Sequence, residues 1–410
     1  MSEFDPHAAA VTGAVLASSG AAAHVPEAEW AAFKRDYAAL VARVNALEAE
    51  NQQLRAVGEG SVTVEDLAAT RSDVEMLKTQ NAASGWAEKV RWKGDFRYRY
   101  EEIDQEGRDE RTRHRIRARA ALIAQVEDNI EVGLGLASGG DDPVSTNQTL
   151  GGGGSTKEIR MDLAYARWNA TEQFYLQGGK YSNPWYSPQR NQLIYDGDFR
   201  PEGIAAGWDN GNLFATLSGS WIESDSNAGD DFAWGAQAGV RFGPLVAAVG
   251  YLELPTRGRE AIYDDDFFGN TSENGVYKYD YELLTAGAEF DFNLLELPFS
   301  LFAQYVQNED ADDLEQGYLA GARLGQARKR GTWQLRYEYR ELEADATLGL
   351  WTDSDFAGGG TDGKGHALSG AYALTDRWTF GFTYLDSQRG VDLGDDEDYQ
   401  RLMIDTAFRY

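Results

Sequence analysis

The sequence predicts a mainly β protein: an antiparallel transmembrane β-barrel of about 16 strands, preceded by an N-terminal α-helical coiled coil. Three observations carry this prediction. Apolar and polar residues alternate with period two from residue 86 to the C-terminus. The connections between the alternating runs are short and long in turn. Residues 27–57 have a heptad repeat instead, which is typical of a coiled coil.

Composition narrows the class of protein. The chain has 410 residues, a formal net charge of -29 and no cysteine. A chain this acidic repels a phosphate backbone, which argues against nucleic acid as a partner. Without cysteine there is no disulfide or thiolate metal site, and no cofactor or other metal site is predicted. No run of 18 apolar residues occurs, so no transmembrane helix is expected, whereas a barrel hides its apolar surface in alternation.

Residues 1–26 precede the first regular pattern. Residues 8–25 are small and mildly apolar, as in a secretory signal, but "MSEFDPH" at 1–7 has no Lys or Arg. Two interpretations stay open. One is a signal remnant or misplaced start, and the other is a leader that is disordered or foreign to the natural chain.

The helical segment, residues 27–82, is expected to be periplasmic and to oligomerise. Its seam residues are spaced three and four apart over four heptads. The a positions are Trp30, Tyr37, Val44 and Asn51, and the d positions are Phe33, Leu40, Leu47 and Leu54. So narrow a seam favours self-association, although a helix packed on its own barrel is the alternative. A second helix is predicted over residues 61–80.

Period-two alternation defines the barrel domain, residues 86–410. Aromatic and charged residues alternate in "VRWKGDFRYRY" at 90–100, and "RTRHRIRARAALIAQV" at 111–126 continues the pattern. Further strands are predicted at 130–138, 158–169, 173–181, 203–210, 212–223, 232–243, 244–254, 279–292, 298–307, 316–325, 331–344, 365–374, 376–387 and 398–410. Short turns such as "EDN" at 127–129 alternate with long loops such as 182–202, a layout typical of outer-membrane barrels.

The last predicted strand ends on an aromatic residue. Leu402, Ile404, Phe408 and Tyr410 lie on one face of it. A terminal aromatic after alternating apolar residues resembles the signal by which bacterial outer-membrane barrels are recognised for insertion. An ordinary edge strand is the alternative.

A longer stretch carries a family resemblance. "EIRMDLAYARWNATEQFYLQGGKYSNPWYSPQRNQLIYDGDFRPEGIAAGW" at 158–208 resembles the strand, turn, strand and long loop of the bacterial outer-membrane "putative porin" family. It is more loosely similar to the phosphate-selective porins. The likeness extends as a pattern over about residues 86–410. It implies an outer-membrane barrel of a Gram-negative bacterium, commonly trimeric, that passes small solutes.

Two rows of basic residues are expected to line the pore. An arginine facing lipid at mid-membrane would cost roughly 2–4 kcal/mol, so several in one strand must face the lumen. The rows comprise Arg91, Lys93, Arg97, Arg99, Arg113, Arg115, Arg117 and Arg119. They form either a wall that faces the solute or a ladder neutralised by neighbouring acids, for which Asp162, Glu338 and Asp405 are candidates.

The loop at 182–202 is the candidate constriction. It follows the fifth predicted strand, the position of the inward-folded loop in general porins. Its candidate residues are Trp185, Tyr186, Arg190, Asp196, Asp198, Arg200 and Glu202. Carboxylates opposite a basic wall would create a transverse field across the pore. An external loop covered by its own aromatic residues is the alternative.

The predicted function is passive diffusion of small hydrophilic solutes through a porin whose basic wall favours anions. We expect a homotrimer, with a dimer left open by Asn51, in contact with outer-membrane lipid and lipopolysaccharide. The barrel-insertion machinery and peptidoglycan are further expected partners. The alternative is a structural anchor whose coiled coil tethers the membrane to the cell wall. A barrel enzyme would need a catalytic cluster at the rim, which the sequence does not offer.

Overall fold

The computed structural model describes residues 27–59, 68–76, 89–224, 229–394 and 396–410. The chain divides into two compact units, Met1–Ala83 and Ser84–Tyr410. The leader predicted at residues 1–26 and both ends of the second predicted helix lie outside the described residues.

Helix α1 spans Glu27–Glu59, and helix α2 spans residues 68–76. The heptad-seam residues whose side chains are described are exposed in the single chain: Tyr37, Leu40, Val44, Leu47 and Asn51. The side chains of Trp30, Phe33 and Leu54 lie outside the described part of the structure. The helix is therefore observed, and the coiled coil stays a prediction. None of the described helices is both long and apolar enough to cross a membrane.

Sixteen strands form the second unit. They are β1 (Val90–Gln105), β2 (Arg111–Glu127), β3 (Ile130–Ser138), β4 (Ile159–Asn169), β5 (Phe174–Lys180), β6 (Glu202–Asp209), β7 (Leu213–Glu223), β8 (Asp231–Phe242), β9 (Leu245–Leu254), β10 (Tyr281–Leu294), β11 (Leu297–Asn308), β12 (Gln316–Gly325), β13 (Trp333–Leu342), β14 (Gly363–Ala373), β15 (Trp378–Arg389) and β16 (Glu397–Arg409). Short strands also occur in the loops, at Gln148–Thr149, Ser272–Glu273 and Val276–Tyr277.

The strands close into a barrel. Each pairs antiparallel with its neighbours in the chain, and β16 pairs with β1 from Asp95↔Arg409 to Gln105↔Tyr399. The predicted 16-stranded antiparallel barrel is confirmed, and the strand limits lie close to the predicted ones. The short turns share one rim with the start of β1 and the end of β16. We call this the short-turn rim and the opposite one the long-loop rim.

Side chains alternate between the two faces of the wall, as the period-two pattern requires. Large apolar side chains such as Trp92, Phe96, Leu122 and Leu134 are exposed on the outer face. The intervening charged residues of β1 and β2 face the lumen, where Arg99 and Glu101 are buried. An apolar outer face and a polar inner face suit a wall in contact with lipid.

A hydrophobic core fills one side of the lumen. The wall contributes Leu283 from β10, Val306 from β11 and Leu342 from β13. Two long loops contribute further side chains, which are Leu193, Ile194, Phe199, Leu348, Leu350 and Trp351. Each such side chain contributes roughly 1.5–3 kcal/mol on full burial, so these loops are firmly packed inside the barrel. A charged cavity in the lumen lies along β1, β2 and β13–β16.

Candidate pore lining

The inner faces of β1 and β2 place acids at the ends of the arginine rows and like charges in the middle. Asp95 lies opposite Arg119, and Glu101 lies opposite Arg113, at 2.7 and 2.6 Å between charged atoms. Between them, two arginine pairs face each other directly: Arg97↔Arg117 and Arg99↔Arg115. Like charges directly opposite on neighbouring strands are destabilising, so the middle of this wall needs carboxylates from elsewhere.

Three carboxylates meet that need. Asp405 on β16, opposite Arg99, accepts hydrogen bonds from it at 2.8 and 2.9 Å. Asp198, from the loop at 181–201, lies 2.7 Å from Arg119 and 3.8 Å from Arg117. Asp355, from the loop at 343–362, lies 2.8 Å from Arg99. The arginine rows are therefore partly neutralised.

The acids proposed from the sequence as neutralising partners have different roles. Asp405 pairs with the β1 row, as described above. Glu338 pairs with Arg336 and Arg340 on its own strand, at 2.6 and 2.7 Å. Asp162 lies 3.3 Å from Arg200 in the 181–201 loop. The inner face of β1 itself contains the acids Asp95 and Glu101. Their inward orientation could have been predicted from the alternation in the sequence.

The basic residues near the short-turn rim lie apart from this network. Arg91 is exposed and forms a 2.7 Å ion pair with Glu131 on β3. Lys93 is also exposed. The positively charged part of the lining is thus concentrated at Arg97 to Arg119, nearer the middle of the wall.

The loop at 181–201, here called the constriction loop, crosses the lumen. The backbone N–H of Tyr186 donates to Gln237 on β8, and that of Gln189 donates to Glu289 on β10. Its far end reaches β2, where Asp198 meets Arg119. Gln189 and Arg190 have φ of 49° and 53°, a left-handed turn by which the chain reverses near β10. The loop is therefore inside the barrel.

Two carboxylates of the constriction loop have opposite titration behaviour. Burial disfavours the charge of Asp198, but Arg117 and Arg119 outweigh it and lower the pKa of this carboxyl. Burial raises the pKa of Asp196 well above its ordinary value, and the charges of Asp353 and Asp198 raise it further. Asp198 is accordingly the charged partner of the arginines, whereas Asp196 favours its neutral form.

The remaining constriction-loop candidates divide into three groups. Trp185 packs against the hydrophobic core, and Tyr186 meets Phe214 edge-on with ring centroids 5.5 Å apart. Arg190 is exposed and lines the lumen. Glu202 requires a correction, because it begins β6 on the outward face and pairs with Lys180. The loop ends before it, since the strand starts one residue earlier than predicted.

The loop at 343–362, here called the second loop, also enters the lumen. Asp353 lies 2.8 Å from Arg340, and Asp355 lies 2.8 Å from both Arg99 and Arg401. Burial disfavours the charge of Asp355, but Arg401 and Arg99 outweigh it and hold its pKa well below the ordinary range. No site residue was predicted in this loop. The local sequence feature that could have indicated the inward fold of this loop is an Asp-Ser-Asp triplet beside buried aromatic residues.

The two loops and the wall enclose a cavity of ≈ 470 Å³. Among the described residues, seven arginines and five carboxylates line it. They are Arg97, Arg99, Arg117, Arg119, Arg190, Arg336 and Arg340, with Asp196, Asp198, Glu338, Asp353 and Asp355. Within the described part of the chain, no group of three or more His, Asp or Glu side chains is placed to hold a metal ion.

Comparison with known families agrees with this geometry. The family model described as "Putative porin" matches residues 103–293 and 277–405, which together exceed half of the chain. The chain belongs to this porin family. No curated protein sequence matches it significantly.

Solved porin structures share the fold of this porin. Salmonella typhi OmpF, in complex with daunomycin, aligns with a TM-score of 0.51 and 12% identity, over 78% of this chain and 97% of that one. Pseudomonas putida OprB, in a high-pH structure, aligns with a TM-score of 0.55 and 10% identity, over 82% of this chain and 97% of that one. Family and fold identify an outer-membrane channel rather than an enzyme.

Tyr410 continues the pairing of β16 with β1. Tyr410 exchanges backbone hydrogen bonds with Gly94 on β1, and its hydroxyl donates to the carbonyl oxygen of Arg119. A Cβ on Gly94 would lie 2.7 Å from the Tyr410 ring, so glycine makes room for it. Phe408 stacks on Trp378 with centroids 5.1 Å apart. Leu402 and Ile404 share the outward face of β16 with Phe408.

Proposed function

We propose that this porin lets small hydrophilic solutes diffuse passively across the outer membrane, with a preference for anions. The observation that carries the proposal is the excess of arginines over carboxylates around the lumen cavity. Asp196 adds to this excess, because burial favours its neutral form. A local positive potential raises the concentration of anions in the pore even when the whole chain is acidic.

The eccentric position of the opening supports the same proposal. The hydrophobic core fills the side of the lumen along β8–β13, which leaves the charged cavity beside β1, β2 and β13–β16 for a hydrated solute. The loop carboxylates contact the arginines directly, as in the 2.7 Å pair of Asp198 and Arg119. The transverse field expected from the sequence is therefore short-ranged here. Such a field selects solutes by their charge more than by their orientation in the pore.

Reversal potentials in planar bilayers under a salt gradient test the anion preference. Arg97 is the informative residue, because its nearest described carboxylate, Asp405, is 3.9 Å away. Arg97→Gln should lower the anion-to-cation permeability ratio roughly twofold. The matched control is Arg160→Gln, which removes an exposed arginine paired with Glu158. A cation-selective wild type, or a ratio that both variants leave unchanged, would contradict the proposal.

We further propose a homotrimer with a periplasmic N-terminal segment. The exposed Tyr37, Leu40, Val44 and Leu47 of α1 support it, because apolar seam residues gain stability by pairing with another helix. Native mass measurement of the detergent-solubilised protein distinguishes a trimer from a dimer or monomer. A monomeric mass at concentrations where the barrel is folded would contradict it.

The expected membrane partners follow from the outer surface. Apolar side chains on the outer face suit lipid, and aromatic residues near the rims suit the lipid and lipopolysaccharide head groups. Leu402, Ile404, Phe408 and Tyr410 are proposed as the segment read by the insertion machinery. Tyr410→Ala should lower the folded yield in cells, since it removes the aromatic ring and the hydroxyl hydrogen bond to the carbonyl oxygen of Arg119.

A structural anchor is the second candidate function. It is favoured by the partly filled lumen and by α1, which could bind peptidoglycan and so tether the membrane. Single-channel recording separates the two functions. A folded barrel without conductance, whose N-terminal segment co-sediments with cell wall, would favour the anchor.

A further inference from the structure

The second loop is joined to the constriction loop at the level of the cavity. The backbone N–H of Asp196 donates to the carbonyl oxygen of Trp351 at 2.7 Å. In return, the backbone N–H of Ser354 donates to the carboxyl of Asp196 at 3.0 Å. The second loop is also anchored by Phe356, which is buried beside Leu385 and Met403 of the wall. It is therefore a fixed part of the lumen.

Strands β1 and β13 have the same residue pattern in two parts of the wall. "FRYRYEEI" at 96–103 corresponds to "LRYEYREL" at 335–342. In both strands the outer tyrosines approach a histidine of the next strand. Tyr98 lies 2.7 Å from His114, and Tyr337 lies 2.8 Å from His366, between hydroxyl oxygen and Nδ1.

The inner faces of β1 and β13 have arginine and glutamate side chains in different orders. In chain order they read Arg97, Arg99 and Glu101 on β1, and Arg336, Glu338 and Arg340 on β13. The second loop provides one aspartate for each strand. Asp355 pairs with Arg99, and Asp353 pairs with Arg340, both at 2.8 Å. The Asp-Ser-Asp triplet thus bridges β13 and β1, which are separated by β14, β15 and β16.

Charge balance on the β1 side depends on Asp355. Counted among the described residues, five arginines there share three carboxylates within 4 Å. The arginines are Arg97, Arg99, Arg113, Arg115 and Arg401, and the acids are Glu101, Asp355 and Asp405. The excess is 5 − 3 = 2 positive charges, and it would become 5 − 2 = 3 without Asp355. An anion leaves a pore quickly only if its site is not too strongly attractive.

We propose that the second loop is a selectivity element of this pore and that Asp353 and Asp355 are its specificity-determining residues. Their carboxylates offset the arginines of β1, β13 and β16, so that a small anion passes without being retained. Removing one carboxylate creates a tighter site, at which a multivalent anion such as citrate is held and blocks the current. This inference rests on the proposed porin function, because it concerns the same lumen.

Bilayer recordings of Asp355→Asn, with citrate as the probe, test the proposal. The variant should have a more anion-favouring reversal potential than the wild type, and citrate should block it at a concentration about tenfold lower. Asp312→Asn is the matched control, since it removes an exposed loop carboxylate of the same charge. The double variant Arg99→Gln/Asp355→Asn restores the charge balance and should return both readouts towards the wild type.

Folding is monitored separately by the heat-modifiable electrophoretic mobility of the barrel. If Asp355→Asn does not fold, Asp353→Asn provides the same test, because Glu338 still pairs with Arg340. Wild-type reversal potential and citrate sensitivity in a folded variant would overturn the inference while leaving the porin function intact. A wild type without conductance would instead overturn the proposed function. A cation-selective wild type would overturn its anion preference, and the shift caused by Asp355→Asn would still be measurable.

Discussion

Glu101 on β1 and Arg401 on β16 form a 2.5 Å ion pair across the two strands that close the barrel, and both side chains are almost entirely buried. Glu101 also lies 2.6 Å from Arg113 and 3.6 Å from Arg115. A single buried carboxylate therefore holds three arginines from two strands, β2 and β16. Breaking a buried ion pair by removing one partner typically costs about 3–5 kcal/mol.

Replacing Glu101 should therefore weaken closure of the barrel. Glu101→Gln leaves the three arginines without their shared carboxylate, and the urea midpoint of unfolding should fall markedly. Glu102→Gln is the control, because the neighbouring residue faces outward, where it accepts a hydrogen bond from Tyr100. Equal midpoints for the two variants would contradict the assigned role of Glu101.

Gly349 allows close contact between the second loop and the loop at 255–280. A Cβ on it would lie 2.1 Å from the carbonyl oxygen of Phe268. Gly349→Ala should push the second loop away from its packed position and increase the single-channel conductance, at a stability cost of about 1–3 kcal/mol. Gly140→Ala is the control, since a Cβ there meets no atom within 4 Å. Unchanged conductance in a folded Gly349→Ala barrel would argue against a narrowing role for this loop.

Asp362 makes the contact between the second loop and the loop at 390–396 sensitive to pH. Burial, with the neighbouring charge of Asp392, raises the pKa of Asp362 to about 6. Its carboxyl accepts hydrogen bonds from the backbone N–H groups of Asp392 and Leu393. Since the folded pKa is raised, the contact is fully stable below the ordinary aspartate pKa of about 4 and weakens as pH rises through 6.

Hydrogen exchange of the Asp392 and Leu393 amides measures this effect, after correction for the intrinsic rates. Protection should decrease between pH 4 and 7 in the wild type. Asp362→Asn should remove that pH dependence, at a lower constant level of protection, because an amide offers one acceptor oxygen. Asp392→Asn removes the repelling charge and should move the transition to lower pH. The same pH profile in all three proteins would be evidence against titration of Asp362.

The exposed seam of α1 predicts association through the helix. Leu40→Asp with Leu47→Asp places charges at two d positions and should reduce the mass of the assembly in sedimentation or native mass measurement. Ala42→Asp is the control, because position 42 lies outside the a and d positions of the repeat. If the double variant keeps the wild-type mass, association depends on the barrel rather than on α1.

Alternation made the barrel predictable, because it is a local property of the sequence. A side chain at a known position in a strand has only two faces to choose from, so Arg97 and Arg117 could be assigned to the lumen. The inward position of the constriction loop was expected instead from resemblance, because general porins have their inward-folded loop after the fifth strand. The ends of strands were less well defined, and Glu202 was assigned to the loop for that reason.

The partners of the arginines were not predictable from alternation alone. Arg99 pairs with Asp355, 256 residues away, and with Asp405, 306 residues away. In the sequence, "WTDSDFAGGG" at 351–360 resembles an ordinary solvated loop, since its acids and glycines are common on surfaces. Its inward fold depends on the apolar side chains around Trp351, which bury themselves only against loops and strands distant in sequence.

The net charge of the pore lining depends on the contact between β1 and β16, so it is established only when the barrel closes. Glu101 and Asp405 compensate arginines of the opposite closing strand, Arg401 and Arg99, at distances of 2.5 and 2.8 Å. An open sheet with the last strand unpaired would leave these two arginines at its edges with only Asp355 of the second loop to share, and lipid strongly disfavours unpaired charges. We therefore expect the electrostatic lining to act as a checkpoint for biogenesis, at which a barrel that has joined its first and last strands enters the bilayer more readily than an open sheet.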